Sequence, residues 1–452
     1  MSIGIKIKKG LDLHLVGAVA NPLQIAEKPT ATVAVIPADF HGLIPKMEVR
    51  EGDIVLAGQP LFHDKANDKV KVVSPAHGKV LAIVRGERRK ILRIVVESTT
   101  TSAQMQHVTH STEGVLTNAT KAKELLLASG LWAMTTQRPY AIVPDASAEI
   151  RDIFVSCFDS APLAENPSKF SDEEKKQMQA AATLLSTLTK GKVYISFRNG
   201  QEIPQLNNAE TIEVNGPHPA GNVGIQIAAI KPVNKGETVL CIDRTTFLRI
   251  GAVALTGVLP TDTTFALTGS EVKEPKMIHT LMGAEMKALL AGELKEDGRH
   301  QRIISGNVLT GTATTIDGYL HLPATQVTVI PEGDDVDEFM GWASISPSKM
   351  SMSPSFPGKF FGKKLFTPDA RLLGGRRAMI MSGEYDKVMP MDILPEYLIK
   401  AILSRDIDRM EQLGIYEVAP EDFALAEYAD TSKLELQKIV REGLNYLRKE
   451  LE

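Results

Sequence analysis

The feature that most constrains this chain is a pair of matched segments, VREGDIVLAGQPLF (Val49 to Phe62) and VVSPAHGKVLAI (Val72 to Ile83). Short runs in both alternate apolar and polar residues, the period-two pattern of half-buried strands. Gly52-Asp53 and Gly58-Gln59 fall where tight turns favour a residue that tolerates positive φ or close backbone approach. Ser74-Pro75 and Gly78 punctuate the returning strand. Similar runs occur at Val33 to Ile36, Lys69 to Val73 and Arg93 to Val96, and Ile3, Ile5 and Ile7 alternate in the same way. Residues 1–105 are therefore expected to form an all-β module.

Beyond this module the pattern changes. Ser98 to His110 is polar and reads as a linker. From 111 to 254 strand and helix patterns alternate, which predicts a Rossmann-like α/β layered domain. Its expected strands are Tyr140 to Val143, Ile153 to Cys157, Val193 to Phe197, Thr211 to Val214 and Thr238 to Ile242. A helix is expected over Ser171 to Lys190, opened by the capping box of Ser171 and Glu174 and stopped by Gly191. Residues 255–330 suit a small β-grasp domain with one helix, Pro275 to Leu290. Residues 335–368 are irregular, a linker arm, and 369–452 are largely helical, ending in the charged amphipathic stretch Leu434 to Leu451. The overall class is multidomain α/β and α+β, consistent with 452 residues at about 100–200 per domain.

Composition removes several functions. The formal charge is −4 and no long Lys/Arg block occurs, which speaks against a nucleic-acid partner. The two cysteines, Cys157 and Cys241, are too few for a disulfide framework, a four-thiolate zinc site or an iron–sulfur centre; a reducing compartment fits them. No window reaches the ~18 apolar residues that cross a bilayer; the best, Phe247 to Leu259, is interrupted by Arg249. Lys6, Lys8 and Lys9 ahead of Ala18-Val19-Ala20 imitate an export signal, but Asp12 and His14 break its apolar core. His107 and His110 lack further ligands for a metal site.

Four motifs carry possible chemistry. The matched segments resemble lipoyl/biotinyl domains, flattened β barrel-sandwiches that present a lysine on a hairpin tip. Asp64-Lys65-Ala66 occupies that tip, but Lys65 lies ten positions before Pro75, a longer hairpin than the lipoyl pattern. A carrier modified at Lys65 is the alternative to an unmodified barrel. GPHPAGNVG (Gly216 to Gly224) follows a strand and precedes the apolar run Ile225 to Ile230, so it reads either as a ligand-approaching loop at a helix start or as a turn stiffened by Pro217 and Pro219. It is not GxGxxG, and no P-loop occurs. GLWAMTTQRPY (Gly130 to Tyr140) combines Trp132 with the forked cation of Arg138; the pair could face a flat quinone-like ring, or be a core Trp beside a surface Arg. Finally, two C-terminal segments, Gly383 to Leu398 and Glu421 to Leu436, resemble the C-terminal halves of two-cluster ferredoxin-like segments or match them by chance. The cluster-ligand positions fall on Met379, Ser382, Tyr385 and Met389, then on Pro420, Phe423, Ala426 and Asp430, with no cysteine among them.

Together these features resemble the A-subunit family of the Na⁺-translocating NADH:quinone oxidoreductase. The resemblance covers essentially the whole chain and is most specific at IKIKKGLDL (Ile5 to Leu13), the VREGD…GQPLF hairpin, GPHPAG and GEYDKVMPMDILP (Gly383 to Pro395). That family is distantly similar to flavin- and cluster-bearing subunits of complex I, whose glycine-rich loop corresponds here to Gly130 to Tyr140, with one glycine. The resemblance implies an N-terminal barrel-sandwich, a Rossmann-like domain without a dinucleotide fingerprint, a β-grasp (SLBB-like) domain and a helical ferredoxin-like domain lacking cluster cysteines. It implies a peripheral subunit on the cytoplasmic face of the bacterial inner membrane. NADH, flavins and iron centres would then belong to other subunits, and no cofactor to this chain. Its partners would be those subunits, above all a membrane-embedded one, and quinone. A quinone contact is expected at Trp132, Arg138, Tyr140 and His218. The acid-free stretch Phe339 to Pro368, with Lys349, Lys359, Lys363, Lys364 and several aromatics, is expected either to dock on an acidic or anionic surface or to pack across the chain's own domains.

Overall fold

The computed structural model describes residues 3–98, 105–323, 325–336, 345–352, 356–360 and 364–451. The first two strands leave the module they precede. β1 (Ile3–Lys6) and β2 (Ile25–Glu27) pair far along the chain, so the sandwich expected over residues 1–105 closes around β3 to β9. These are Thr32–Val35, Pro45–Met47, Ile54–Val55, Pro60–Asp64, Lys71–Val73, Gly78–Arg85 and Ile91–Glu97. They form a four-stranded sheet, β3-β9-β8-β5, facing a three-stranded one, β4-β6-β7. Val33, Leu61, Phe62, Val80, Ile94 and Val96 fill the space between, the inward half of the alternation read from the sequence. Residues 105–110 run along this module rather than hanging free: His107 bridges to Ala57 and Thr109 to Val258.

The α/β unit holds β10 (Thr136–Arg138), β11 (Ile153–Ser156), β12 (Val193–Arg198), β13 (Glu210–Asn215) and β14 (Val239–Asp243). Its helices are α1 (Ala119–Ala128), α2 (Asp172–Ser186), α3 (Val223–Ile230) and α4 (Arg244–Thr256). The sheet order is β1-β13-β12-β11-β14-β10, with β10 alone antiparallel. Ile153, Phe154 and Val155 are all buried, as a central parallel strand covered on both faces requires. α2 begins with the expected capping box at Ser171 and Glu174. It ends before Gly191, however, because the Ser186 and Thr187 hydroxyls donate to the Thr183 and Leu184 carbonyls and close the last turn early. Gly191 serves a different need: a Cβ there would lie 2.1 Å from the Arg151 carbonyl oxygen. The strand expected over Tyr140 to Val143 is likewise displaced. Tyr140 and Ala141 take φ of +76° and +49°, turning the chain so that Gln137 pairs back onto Ile142.

The β-grasp unit contains β15 (Asp262–Thr268), β16 (Lys276–Leu281), α5 (Met286–Leu290), β17 (Gln301–Ser305), β18 (Thr312–Thr314) and β19 (Gln326–Pro331). The first half of the helix expected over Pro275 to Leu290 is thus a strand. Buried Ile278 and Thr280 alternate with half-buried neighbours, and that period-two face packs on β15. Gly283, at φ +70° and tight against the Ala34 carbonyl, then turns the chain into the short α5.

The C-terminal unit packs α6 (Tyr385–Val388), α7 (Pro395–Ser404), α8 (Ile407–Gln412), α9 (Ala424–Ala429) and α10 (Leu436–Leu451) against one face of the α/β sheet. Leu436, Val440, Leu444 and Leu447 form the buried stripe of α10 at helical spacing. The other face of the sheet, with α2 and α4, shares a core with the sandwich. Of the acid-free arm, Phe339, Trp342, Pro354, Phe361 and Lys363 lie outside the described residues. Its end folds onto the chain itself, where Phe366 exchanges backbone hydrogen bonds with His14 and Val16. Lys349 is buried, with Phe356 5.5 Å from its ammonium, while Phe360 stands exposed.

Candidate functional site

The strand order locates the site. From β11 the chain moves outward through β12 to β13, then returns to add β14 on the other side of β11. The loops leaving β11 and β14 diverge there, which opens a crevice beyond the carboxyl ends of the strands, the usual ligand position in open α/β sheets. A cavity of about 580 Å³ occupies this place. All units meet at it. Asp39 and His41 come from the sandwich, Ser156, His218, Cys241 and Arg244 from the α/β unit, Gln326 from the β-grasp, and Glu421 from the C-terminal unit. Asp39 joins two of them at the wall: its carboxylate oxygens lie 2.6 Å from His321 Nδ1 and 2.9 Å from the Leu322 amide that donates to it.

Two helices begin here, and they are finished differently. α3 starts after the GPHPAG turn, and Glu421 and Asp422 lie against its first turn. A Cβ at Gly224 would be 2.6 Å from the Asp422 carboxylate, so glycine is what admits that group. Asn222 Nδ2 donates to the Glu421 carbonyl. Arg138 Nη1 donates to Asp422 Oδ2 at 2.8 Å and Nη2 to Glu421 Oε1 at 2.7 Å. Burial alone would lower the Arg138 pKa, but the two carboxylates outweigh it and keep the guanidinium charged. α4 starts at Asp243, whose side chain accepts from the Thr246 amide. The next residue, Arg244, is half-buried in the cavity wall and makes no ion pair among the described residues.

The four residues expected to face a quinone are therefore separated. His218 lines the cavity. Its Nδ1 lies 3.0 Å from Ser160 Oγ, its Nε2 has no partner among the described residues, and burial depresses its pKa to about 4, so the ring is neutral near pH 7. Arg138 is buried and committed to the two carboxylates. Tyr140 turns to the C-terminal unit, its ring edge-on to Tyr416 at 6.4 Å and its carbonyl accepting from Arg441. Trp132 does not line the large cavity. It is a core residue whose indole N–H donates to the Pro144 carbonyl and which borders a separate hollow of about 210 Å³ beside Lys123. Arg244 was not singled out by sequence; a cation directly after the apolar strand Val239–Ile242 and the N-cap Asp243 is the signal that marks it.

Burial pushes the Cys241 thiol up to about 12, so it is no thiolate nucleophile at neutral pH. No group of three or more His, Cys, Asp or Glu side chains suited to a metal occurs among the described residues. The ferredoxin-like ligand positions are filled by packing: Tyr385, Met389, Phe423 and Ala426 are buried in the C-terminal core. Burial, and then the nearby Asp430 carboxylate, keep the Tyr385 phenol protonated. Lys65 is exposed on the β6–β7 hairpin.

Fold and site together define a class: a barrel-sandwich, a switch-point α/β domain, a β-grasp and a helical unit assembled around one interdomain cavity. Three family models match within it. They are the NqrA N-terminal barrel-sandwich hybrid domain over 5–99, the NqrA second alpha/beta domain over 117–259 and the NQRA C-terminal domain over 264–315. The A-subunit of the Na(+)-translocating NADH-quinone reductase of Neisseria meningitidis serogroup B is 36% identical over 99% of this chain and 100% of its own length. The protein of the same name from Yersinia pseudotuberculosis is 37% identical over the same shares. A solved NAD⁺-reducing [NiFe]-hydrogenase covers 75% of this chain and 62% of its own at a TM-score of 0.37 and 11% identity, a likeness too slight to carry an argument. The chain belongs to the A-subunit family of the Na(+)-translocating NADH-quinone reductase and is thereby one component of an oxidoreductase complex. No helix among the described residues is long and apolar enough to cross a membrane.

Proposed function

We propose that this chain is a peripheral, non-catalytic subunit of a respiratory complex that couples NADH oxidation by quinone to Na⁺ export. It serves assembly and quinone binding and carries no flavin or cluster of its own. One observation carries the reading. Within a framework spaced for two clusters, every ligand position lacks a thiol, and the buried ones are packed into the core instead. An iron–sulfur centre needs four suitable ligands, so these residues do not fit one. The loop Gly130 to Tyr140, with its single glycine, does not fit a flavin phosphate cradle either, and Glu421 and Asp422 already hold the start of α3. Flavins and iron centres are assigned to the partner subunits, and the chain to the cytoplasmic side of the bacterial inner membrane. Iron and flavin analysis of anaerobically purified protein, with an optical spectrum, tests this; a stoichiometric cluster or flavin signal would overturn it.

In this reading the quinone contact lies at the switch-point cavity. The apolar walls at Phe158, Val143 and Leu322 suit a flat ring, and Arg244 supplies a donor for a ring oxygen, with His218 behind it in the wall. In the assembled enzyme, Arg244→Gln and His218→Ala should raise the KM for quinone while NADH oxidation by an artificial acceptor is retained. Unchanged quinone kinetics in both would discard the cavity as the contact. The exposed Lys65 supports a second reading, a lipoyl- or biotinyl-type carrier, and intact mass of the protein from its native host decides it: an adduct on Lys65 is required.

A further inference from the structure

The hairpin joining β8 to β9 ends in Arg85-Gly86-Glu87-Arg88-Arg89-Lys90, four basic side chains against one acidic in a chain whose formal charge is −4. All five charged side chains are exposed. The turn closes through Lys90 N–H to the Glu87 carbonyl at 3.1 Å and Gly86 N–H to the Lys90 carbonyl at 2.8 Å. Both of its central residues are left-handed, Arg88 at φ +53° and ψ +28°, Arg89 at φ +62°. This is the backbone of a type I′ turn, where Asn-Gly is the favoured pair and two arginines are strained. Local stability therefore does not account for arginine at either position. Nor does internal pairing: Arg88, Arg89 and Lys90 make no ion pair among the described residues, and Arg85 donates to the Arg89 carbonyl. Beside the tip, Leu92 is 45% exposed and packs over Gly86.

We propose that this tip docks the subunit on the anionic phospholipid surface of the membrane. A hairpin end presents no concavity and no fixed fork for one carboxylate. Long cations on a turn match a diffuse plane of negative charge, and an exposed leucine at their base suits the headgroup boundary. The proposal rests on membership of a sodium-translocating reductase family and not on where quinone binds.

The test uses the full chain and vesicles of equal parts phosphatidylglycerol and phosphatidylethanolamine, with phosphatidylcholine vesicles as the neutral control. The variant Arg88→Asn, Arg89→Gly, Lys90→Gln removes three charges and installs the favoured turn pair, so it folds at least as well as the parent. The unaltered protein should co-sediment with the anionic vesicles, lose that binding as salt rises, and ignore the neutral ones. At about fivefold per charge, the variant should bind on the order of a hundredfold more weakly, with a Tm unchanged or raised. Equal binding by variant and parent, or no preference of the parent for anionic vesicles, overturns the proposal. So does a variant that leaves the purified complex without any change in vesicle binding, an outcome that assigns the tip to an acidic protein surface.

Discussion

The starts of α3 and α4 both border the cavity at the carboxyl edge of one sheet, yet only that of α3 is held by carboxylates brought from far along the chain. Both carry the partial positive charge of unpaired backbone amides. At α3, the chain brings its own anions from about two hundred residues away: Glu421 and Asp422 arrive with Arg138 between them. At α4, the local N-cap Asp243 is followed by Arg244, which lines the cavity and makes no ion pair among the described residues. The difference teaches that whether a helix start in this fold is covered depends on carboxylates contributed by distant parts of the chain. A glycine at the second position of α3 admits the internal carboxylate. At the α4 start Arg244 shares the cavity wall with the Asp159 carboxylate, whose charged form it favours electrostatically, but the two make no ion pair among the described residues.

Breaking the stopper should have the largest effect. Asp422→Ala leaves Arg138 buried with the half-exposed Glu421 as its remaining carboxylate, and should cost about 3–5 kcal/mol in urea unfolding. Replacing the pair together, Arg138→Met with Asp422→Leu, should recover much of that loss; a single-variant loss below about 1 kcal/mol would show that α3 is not held this way. Next comes His218, between the two starts. Its pKa is depressed to about 4 by burial, against an ordinary value near 6.5. Between these values the unfolded chain binds the proton and the folded chain does not. His218 therefore takes stability away as pH falls from about 6.5 to 4, on the order of 3 kcal/mol, and the penalty is absent above that window. His218→Gln should flatten the urea-unfolding free energy across that range by a similar amount, and an unaltered slope would contradict a buried neutral ring. A third helix start, that of α2, is capped entirely by its own neighbours, so Ser171→Ala should cost about 1 kcal/mol without touching quinone kinetics. Arg244→Gln should be the mildest for stability, within about 0.5 kcal/mol, since no ion pair among the described residues is lost. A larger loss would mean that Arg244 is structural, and the contrast between the two helix starts would fall.

The parts of this molecule legible in sequence are those decided within a few residues. The sandwich strands around Val49 to Ile83, the cap of α2, the helix after GPHPAG and the stripe of α10 all follow from local period, turn chemistry and capping. The misplaced elements share a cause. Lys276 to Leu281 could be read as helix until β15 supplied a neighbour for its alternating face. Trp132 beside Arg138 looked like a ring platform with a cation, but nothing local shows that the indole is sealed against Pro144 while the guanidinium turns to carboxylates nearly three hundred residues away.

By itself the sequence determined which local units this protein builds. Turn and cap signals act over one or two peptide units, so the residues beside them suffice to set them. Tertiary structure alone decided which edge β1 joins and which helix start receives the distant carboxylates. Those outcomes depend on segments distant in the chain competing for the same sheet edge or the same helix end. The winner is set by the packing of the whole core, not by the residues at the site.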